Sequence, residues 1–369
     1  MAFEKPVVVL DNGSYNIKAG FACDNHPVSI FRSIVGRPNY LRGSYGNEYY
    51  DVFIGDDAME KIEDLELNHP VVNGKIVHWD NMERIWHHVF YRELKAAPED
   101  RAVIMSCSNT APMDEKIKSC EIFFETLNCP ALCIQAQGTL AVYGSGLTTG
   151  LCIDMGYDTV DIIPVFEGGL IKYAHIQTQL AGAQISDYIK HSFNERSLGG
   201  TLKSPKDLDT IVKQCVYITK DIAMSKENYT KNCTLSNGEV VDVFNEAFMA
   251  GELLFQPGLI MGKETNYTAL PKGVVQSISK CDSELQTALY EAIIPCGGLS
   301  TLPGLNERLE LEIEDEIHRP VKVIFSPESY TVIWLGAATF AGLPDAKNVW
   351  VTQKQYEDYG VRIIKNKFM

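Results

Sequence analysis

Two segments place an acidic residue and small residues where phosphate chemistry would need them. Asp11-Asn12-Gly13-Ser14 follows the apolar run Val7-Val8-Val9-Leu10, and the chain returns through Tyr15 to Phe21 with alternating apolar and polar residues. Asp154-Met155-Gly156-Tyr157-Asp158 follows Gly150-Leu151-Cys152-Ile153 and leads into Thr159 to Val165, which is rich in β-branched residues. In such a strand-turn-strand, turn N–H groups point outward as donors, small residues permit close approach, and the carboxylate can hold the hydration shell of Mg²⁺. Lys18 follows Asp11 at a same-sheet offset that can bring its ammonium towards the turn. A single copy reads as an ordinary hairpin, because Asn-Gly is a strong turn signal whose positions tolerate positive φ. Recurrence of the pattern 143 positions later points instead to two related halves and favours phosphate binding.

A third glycine element, Pro295-Cys296-Gly297-Gly298-Leu299-Ser300-Thr301-Leu302-Pro303-Gly304, follows the apolar run Ala292-Ile293-Ile294. Adjacent glycines after a strand let a flat ligand lie against the backbone, although the same pair also makes plain structural turns.

Helices must hold these turns in place. Asp80 to Phe90 puts Met82, Ile85, Trp86, Val89 and Phe90 on one face, with Asp80 offered as the N-cap. His87 and His88 diverge on that helix, which makes them surface and packing residues rather than a metal pair. Lys118–Leu127, Ala183–Phe193 and Leu208–Ile222 are further helix candidates. Ser326-Pro327-Glu328 reads as a helix start, followed by a buried helix over Tyr330–Leu343.

At 369 residues the chain exceeds one ordinary core, so at least two core-bearing units are expected. Hydrophobic residues at 45% and charged residues at 22% exclude disordered, collagen-like and coiled-coil classes. A net charge of −15 without a dense Lys/Arg run argues against nucleic acid as partner. The longest apolar uncharged run, Tyr330 to Leu343, falls short of the ~20 residues of a membrane span, so no membrane insertion is expected. Glu4 and Lys5 and the short apolar run after them do not read as a leader, which predicts a cytoplasmic chain with a nuclear location left open. The ten cysteines are then expected to be thiols; Cys129 and Cys133 alone are closely spaced, with no second pair or nearby histidine to complete zinc ligation.

The segments LDNGSYNIKAGF from Leu10, IVGRP from Ile34, HWDNMERIWHHVFYREL from His78, Gln137 with LAVYGSG, LAGAQISDYI from Leu180, LFQP from Leu254, CGGLSTLPGL from Cys296 and SPESYTVIWLGAATFAGL from Ser326 closely resemble actin and actin-related proteins. The resemblance runs from about Val7 through Tyr356. It implies an actin-like α/β ATPase fold: two related α/β halves, in four subdomains, around a cleft holding ATP or ADP with Mg²⁺. The subdomains would be residues 1–32, 70–144 and 332–369; 33–69; 145–180 and 264–331; and 181–263, with approximate boundaries. Asp11 and Asp154 would organise water around the metal. The first turn would supply Asn12, Gly13, Ser14 and Tyr15 to the phosphates together with Lys18, and the second Gly156, Tyr157 and Asp158. Gly182, Lys213, Gly297, Gly298, Leu299, Leu302 and Tyr330 would complete the nucleotide site. Gln137, Asp154 and Asp161 are the catalytic candidates, Gln137 because an amide can both donate to and accept from an attacking water.

The chain departs from the family at telling positions. Tyr15 stands where the first loop has a second glycine, so its ring either crowds the phosphate or swings away. Met155, Tyr157 and Asp158 replace Ser, Asp and Gly, Asp161 replaces a histidine associated with the catalytic water, and Lys213 replaces a ribose-contacting glutamate. These changes predict binding with slow or absent turnover, with Asp161 as a candidate replacement base. Asn73 replaces the modified histidine, and an acidic N-terminal run offered to myosin is missing. The loop Asn39 to Asp51 carries Tyr40, Tyr45, Tyr49 and Tyr50, and Gly262 to Asn266 near the hydrophobic plug is polar, so homopolymers should form less readily than those of conventional actin.

The expected function is that of a divergent actin or actin-related cytoskeletal protein, at most a slow ATPase coupled to assembly, whose partners are actin-family or other cytoskeletal proteins or its own copies. The alternative is a non-catalytic structural subunit of a cytoskeletal or nuclear complex. A sugar kinase built on the same core is disfavoured by the actin-like segments outside the nucleotide loops.

Overall fold

The computed structural model describes residues 3–38, 52–196, 198–202, 204–222, 230–260, 262, 267–343, 346 and 348–368. The loop Asn39 to Asp51 and the plug residues Lys263 to Asn266 lie outside them. The chain divides into two compact units, Met1–Thr148 with Thr331–Met369, and Thr149–Tyr330.

In the first unit a six-stranded sheet runs in the order Val351–Thr352, Ala131–Ala136, Val103–Cys107, Val8–Asn12, Asn16–Phe21, Ser29–Arg32. Three neighbouring strands, Ala131–Ala136, Val103–Cys107 and Val8–Asn12, are parallel. Both faces of this sheet are covered, which is why Val8-Val9-Leu10 reads as continuously apolar rather than alternating. One face carries Val8, Leu10, Val103 and Met105 into a core with Met82, Ile85, Trp86, Phe90 and Phe123. On the other, the helices Gln137–Gly144 and Val332–Gly342 pack together and against the sheet, and the buried Trp334 indole donates to Val9 O at 3.2 Å.

The second unit has a sheet ordered Gly169–Leu170, Val160–Phe166, Gly150–Met155, Ile293–Cys296, with Ile176–Thr178 also paired to Val160–Phe166. Gly150–Met155 lies parallel to Ile293–Cys296 and antiparallel to Val160–Phe166. The helices Gly182–Glu195, Leu270–Ser279 and Leu305–Ile317 contribute Ile185, Ile189, Val274, Ile278, Leu305 and Leu309 to its core.

The repeat holds at the level of register. Asp11 pairs with Lys18 across its hairpin, and Asp154 pairs with Asp161 across the other. The turns themselves differ from the two-residue form that Asn-Gly suggests. Gly13 to Tyr15 connect the first pair of strands and Gly156 to Thr159 the second, and neither Asn12 nor Gly13 takes positive φ. Glycine is required at position 13 for space: a Cβ there would lie 2.6 Å from Asn16 O. The dipeptide's positive-φ turn occurs at Asn73-Gly74, with φ of 51° and 72°, between Val71–Val72 and Lys75–Ile76.

Several helix boundaries differ from the sequence reading. The helix predicted from Asp80 spans Trp79–His88 with His78 as N-cap, so Asp80 lies within the first turn, and a π-helical turn over Val89–Glu93 carries the predicted apolar face onward. The Lys118 helix begins earlier, as Met113–Glu121, and continues as a π turn over Ile122–Thr126. Pro205–Cys215 replaces Leu208–Ile222: Ser204 Oγ accepts from Lys206 N and Asp207 accepts from Ser204 N, which fixes the earlier start. It stops early because Val216 is extended and Ile218 N donates to Pro303 O at 2.7 Å. Ser326 closes a separate turn, accepting from Glu328 N, and the apolar helix starts at Val332. Among the described residues no helix is long and apolar enough to cross a membrane.

The crossing of Gln137–Gly144 with Val332–Gly342 depends on absent side chains. A Cβ on Gly336 would sit 1.7 Å from Leu140 O, and one on Gly144 2.1 Å from Val332 O. Gly336→Ala should therefore cost at least the ~1–3 kcal/mol typical of overpacking, since a helix backbone cannot yield locally. Gly342→Ala, where nothing lies within 4 Å, should be neutral or slightly stabilising. Urea unfolding of both variants reads the difference. Nine cysteines are buried and Cys23 is exposed, with burial pushing the Cys133 thiol up to about 12. A thiol reagent at pH 8 should accordingly label Cys23 in native protein and all ten thiols only after unfolding.

Candidate functional site

Parallel strands end together, so residues just past their carboxyl ends are gathered at one edge of a sheet, where open α/β sheets receive ligands. In the first unit that edge holds Asp11 from Val8–Asn12, Ser106 from Val103–Cys107, and Gln137, which opens the helix directly after Ala131–Ala136. Asp11 is 1% exposed and Lys18 7%. Lys18 Nζ donates to Asp11 Oδ2 at 2.7 Å, and Ser106 Oγ donates to Oδ1 at 2.7 Å. Ser106 Oγ also accepts from Asn12 N at 3.0 Å, while Asn12 Oδ1 accepts from the Trp86 indole at 3.2 Å. The turn is thus fixed from the strand beside it and from the core beneath it. Ser14 has no hydrogen-bond partner among the described residues. Gln137 is half-buried, and the next residue's N–H donates to the buried Asn109 Oδ1 at 2.7 Å, capping its helix.

Tyr15 does not stand free in this turn. The Arg32 guanidinium lies over its ring, 3.7 Å from the centroid, a cation–π contact that holds the ring to the neighbouring strand.

The second unit gathers a matching set. Asp154 lies opposite Cys296 on the parallel strand, next to Gly297. Gly297 has φ 86°, and a Cβ on it would lie 2.7 Å from Met155 O and 2.9 Å from Asp154 Oδ1. Gly298, exposed, has open space in the Cβ direction, as a backbone that receives a flat ligand needs. Gly297 N donates to Ser329 O at 3.1 Å, which brings the half-buried Tyr330 next to this loop. Gly156 O and Tyr157 O accept from Gly182 N and Ala183 N at 3.2 and 2.8 Å, tying the second turn to the start of Gly182–Glu195. The Tyr157 ring packs on Gly182, where a Cβ would meet Cδ2 at 3.2 Å. Asp158 is half-buried beside it.

Not every candidate is presented as the sequence implied. The Leu299 and Leu302 side chains are buried in the core, leaving only their backbone to face a ligand. Lys213 is exposed in the last turn of Pro205–Cys215. Asp161 is buried and already engaged: His175 Nε2 lies 2.7 Å from Oδ1, Gln177 Nε2 donates to Oδ1 at 3.0 Å, and Thr159 Oγ1 donates to Oδ2 at 2.9 Å. Sequence reasoning missed Ser106, Arg32 and His175, whose partners are distant in the chain and adjacent only through strand pairing. It had one usable signal, since Ser106 ends an apolar run that reads as a buried strand.

A family model described as Actin matches residues 3–208 and 200–369. The chain belongs to the actin family. Its mixed α/β architecture, with a hairpin turn at the carboxyl edge of each main sheet, agrees with the actin-like ATPase fold. Among the described residues no three His, Cys, Asp or Glu side chains converge as a direct cation site. Taken unit by unit, each turn carries a hard carboxylate, Asp11 in one and Asp154 in the other, the donor type that Mg²⁺ takes through water.

The buried ion pair can be tested directly. Lys18→Met leaves the Asp11 carboxylate without its charge partner and should destabilise the protein by about 3–5 kcal/mol. Asp11→Asn combined with Lys18→Met should cost less than the sum of the two single changes. A double-mutant cycle by chemical denaturation measures the coupling.

Proposed function

We propose that this actin-family chain binds ATP or ADP with Mg²⁺ and serves as a cytoplasmic cytoskeletal protein that joins a filament or a multiprotein assembly. The carrying observation is the repeated edge: a turn bearing Asp11 with Lys18 and Ser106 behind it, and a second bearing Asp154 against the open Gly297-Gly298 backbone. Asp11 and Asp154 would hold the metal's hydration shell, and Mg²⁺ when bound neutralises charge on the phosphates. Lys18, already oriented by Asp11, would present its ammonium to phosphate oxygens. Ser14, without a hydrogen-bond partner among the described residues, offers its N–H and hydroxyl, and Gly298 a surface for the base. Tyr15, drawn onto Arg32, leaves its own turn open to phosphate. The four-subdomain division belongs to the same reading.

Turnover is expected to be slow. Phosphoryl transfer depends on positioning and electrostatics, and Tyr157 and Asp158 alter both on the second turn. The packing of Tyr157 on Gly182 also supports a second reading, in which the nucleotide is a structural cofactor of a subunit without turnover. Partners would be other cytoskeletal proteins or further copies of the chain. The tyrosine-rich loop and polar plug predict weaker self-assembly than conventional actin, because modest loss of complementarity can fail to offset the entropy of association.

Nucleotide binding to the native state alone should stabilise it by ~2.7 kcal/mol at a hundredfold excess over Kd. Thermal unfolding of nucleotide-free protein should therefore shift upward with Mg²⁺-ATP, and Asp11→Ala and Asp154→Ala should each reduce the metal-dependent part. No shift at millimolar nucleotide contradicts the reading. Sedimentation and electron microscopy over rising protein concentration should show a higher threshold for filaments than conventional actin has, and filaments at low concentration contradict the assembly claim.

A further inference from the structure

Tyr15 is the bulkiest residue of the first turn, and the backbone around it is held from both sides. Its carbonyl accepts from Ser33 N at 2.9 Å, and Gly13 N donates to Asn16 O at 3.2 Å across the turn. A Cβ at position 13 would lie 2.6 Å from that same oxygen, so the turn has little room to reshape around a large neighbour. Where the ring lies is therefore decided by rotation of the side chain among its staggered positions.

The strand register puts a cation beside that ring. Asn16, next in the chain, is paired with Arg32 on the third strand, as Lys18 is with Ile30. Ile17 and Phe31, which alternate with these residues, belong to the core beneath the sheet, so Arg32 stands on the opposite face, the one that carries Asp11 and Lys18. There Arg32 is 9% exposed, and its guanidinium lies 3.7 Å from the centroid of the half-buried Tyr15 ring. A planar guanidinium stacks on an aromatic face, and the attraction strengthens where water is excluded.

We propose that Arg32 is a positioning residue for the phosphate turn, a role that deepens the nucleotide reading above and rests on it. Its guanidinium holds the Tyr15 ring against the third strand. Released, the ring swings across Ser14, the residue bonded to it, and covers the N–H and hydroxyl that a polyphosphate would meet. Arg32 thus acts through Tyr15 and sets affinity without touching the ligand.

The test uses full-length protein stripped of nucleotide and titrated with Mg²⁺-ATP by calorimetry, with urea unfolding of the nucleotide-free protein reading stability separately. Arg32→Met keeps an unbranched apolar stem and removes the cation. It should raise Kd about threefold to thirtyfold, the range that a cation–π contact spans. In a Tyr15→Ala background the same change should leave Kd where it is, because no ring remains to be held; a merely structural arginine would act alike in both backgrounds. Arg32→Lys retains a cation and should fall between wild type and Arg32→Met, again only while Tyr15 is present, and it carries the same cycle if Arg32→Met does not fold. Equal weakening in both backgrounds, or an unchanged Kd in the Tyr15 background, overturns the proposal while nucleotide binding stands. Binding by Tyr15→Ala but not by wild type also overturns it, since the ring would then close the turn despite Arg32. If neither binds, the nucleotide reading itself has failed and the role of Arg32 falls with it.

Discussion

Burying Asp11 and Lys18 removes two charges from water at a cost of several kcal/mol each, and only close mutual contact offsets that. The hairpin register supplies the contact by placing the two residues opposite each other, and Ser106 satisfies the second carboxylate oxygen. Everything else at this edge follows from the constraint. The neighbouring parallel strand must end where Ser106 can reach Asp11, Trp86 must rise from the core to hold Asn12, and the helix after the next strand begins at Gln137 on the same edge. The ion pair therefore aligns three strand ends as well as filling a hole in hydrogen bonding.

The second hairpin shows what happens when the cation is lost from the same scaffold. Asp161 occupies the register position of Lys18 and would confront Asp154 as a like charge. The strand Ile176–Thr178, on the far side of Val160–Phe166, brings donors instead: His175 and Gln177, with Thr159 from within the hairpin. Two hydrogen bonds draw one carboxylate oxygen towards the outer strand, and Thr159 holds the other. The two halves thus share backbone geometry while offering different chemistry, a lysine paired to its aspartate in one and a carboxylate-oriented histidine in the other.

Close backbone approach is the other recurring device. Gly297 lets the loop after Ile293–Cys296 lie against Asp154, Gly182 lets a helix start beneath Tyr157, and Gly336 lets two helices cross at backbone distance. A β-carbon would overlap backbone at Gly336 and Gly297 and crowd Tyr157 at Gly182, so the requirement is spatial at Gly336, both spatial and conformational at Gly297, and milder at Gly182.

The sequence by itself determined the hairpins, their repetition and the family, because strand-turn-strand patterns and the eight actin-like segments are local and ordered along the chain. It also determined the apolar face of Met82, Ile85 and Trp86, since helical periodicity is local. Helix ends were less legible: Ser204 and Asp207 fixed one start through a reciprocal cap, and Pro303, distant in sequence, drew Ile218 out of the helix. Only the tertiary structure decided that Tyr15 stacks on Arg32, that Ser106 completes Asp11, and that Asp161 faces His175 rather than standing open as a base. Those outcomes depend on which strands become neighbours and in what register. Register is set by packing of whole sheets against their helices, so no local pattern at Asp161 could announce the histidine that holds it.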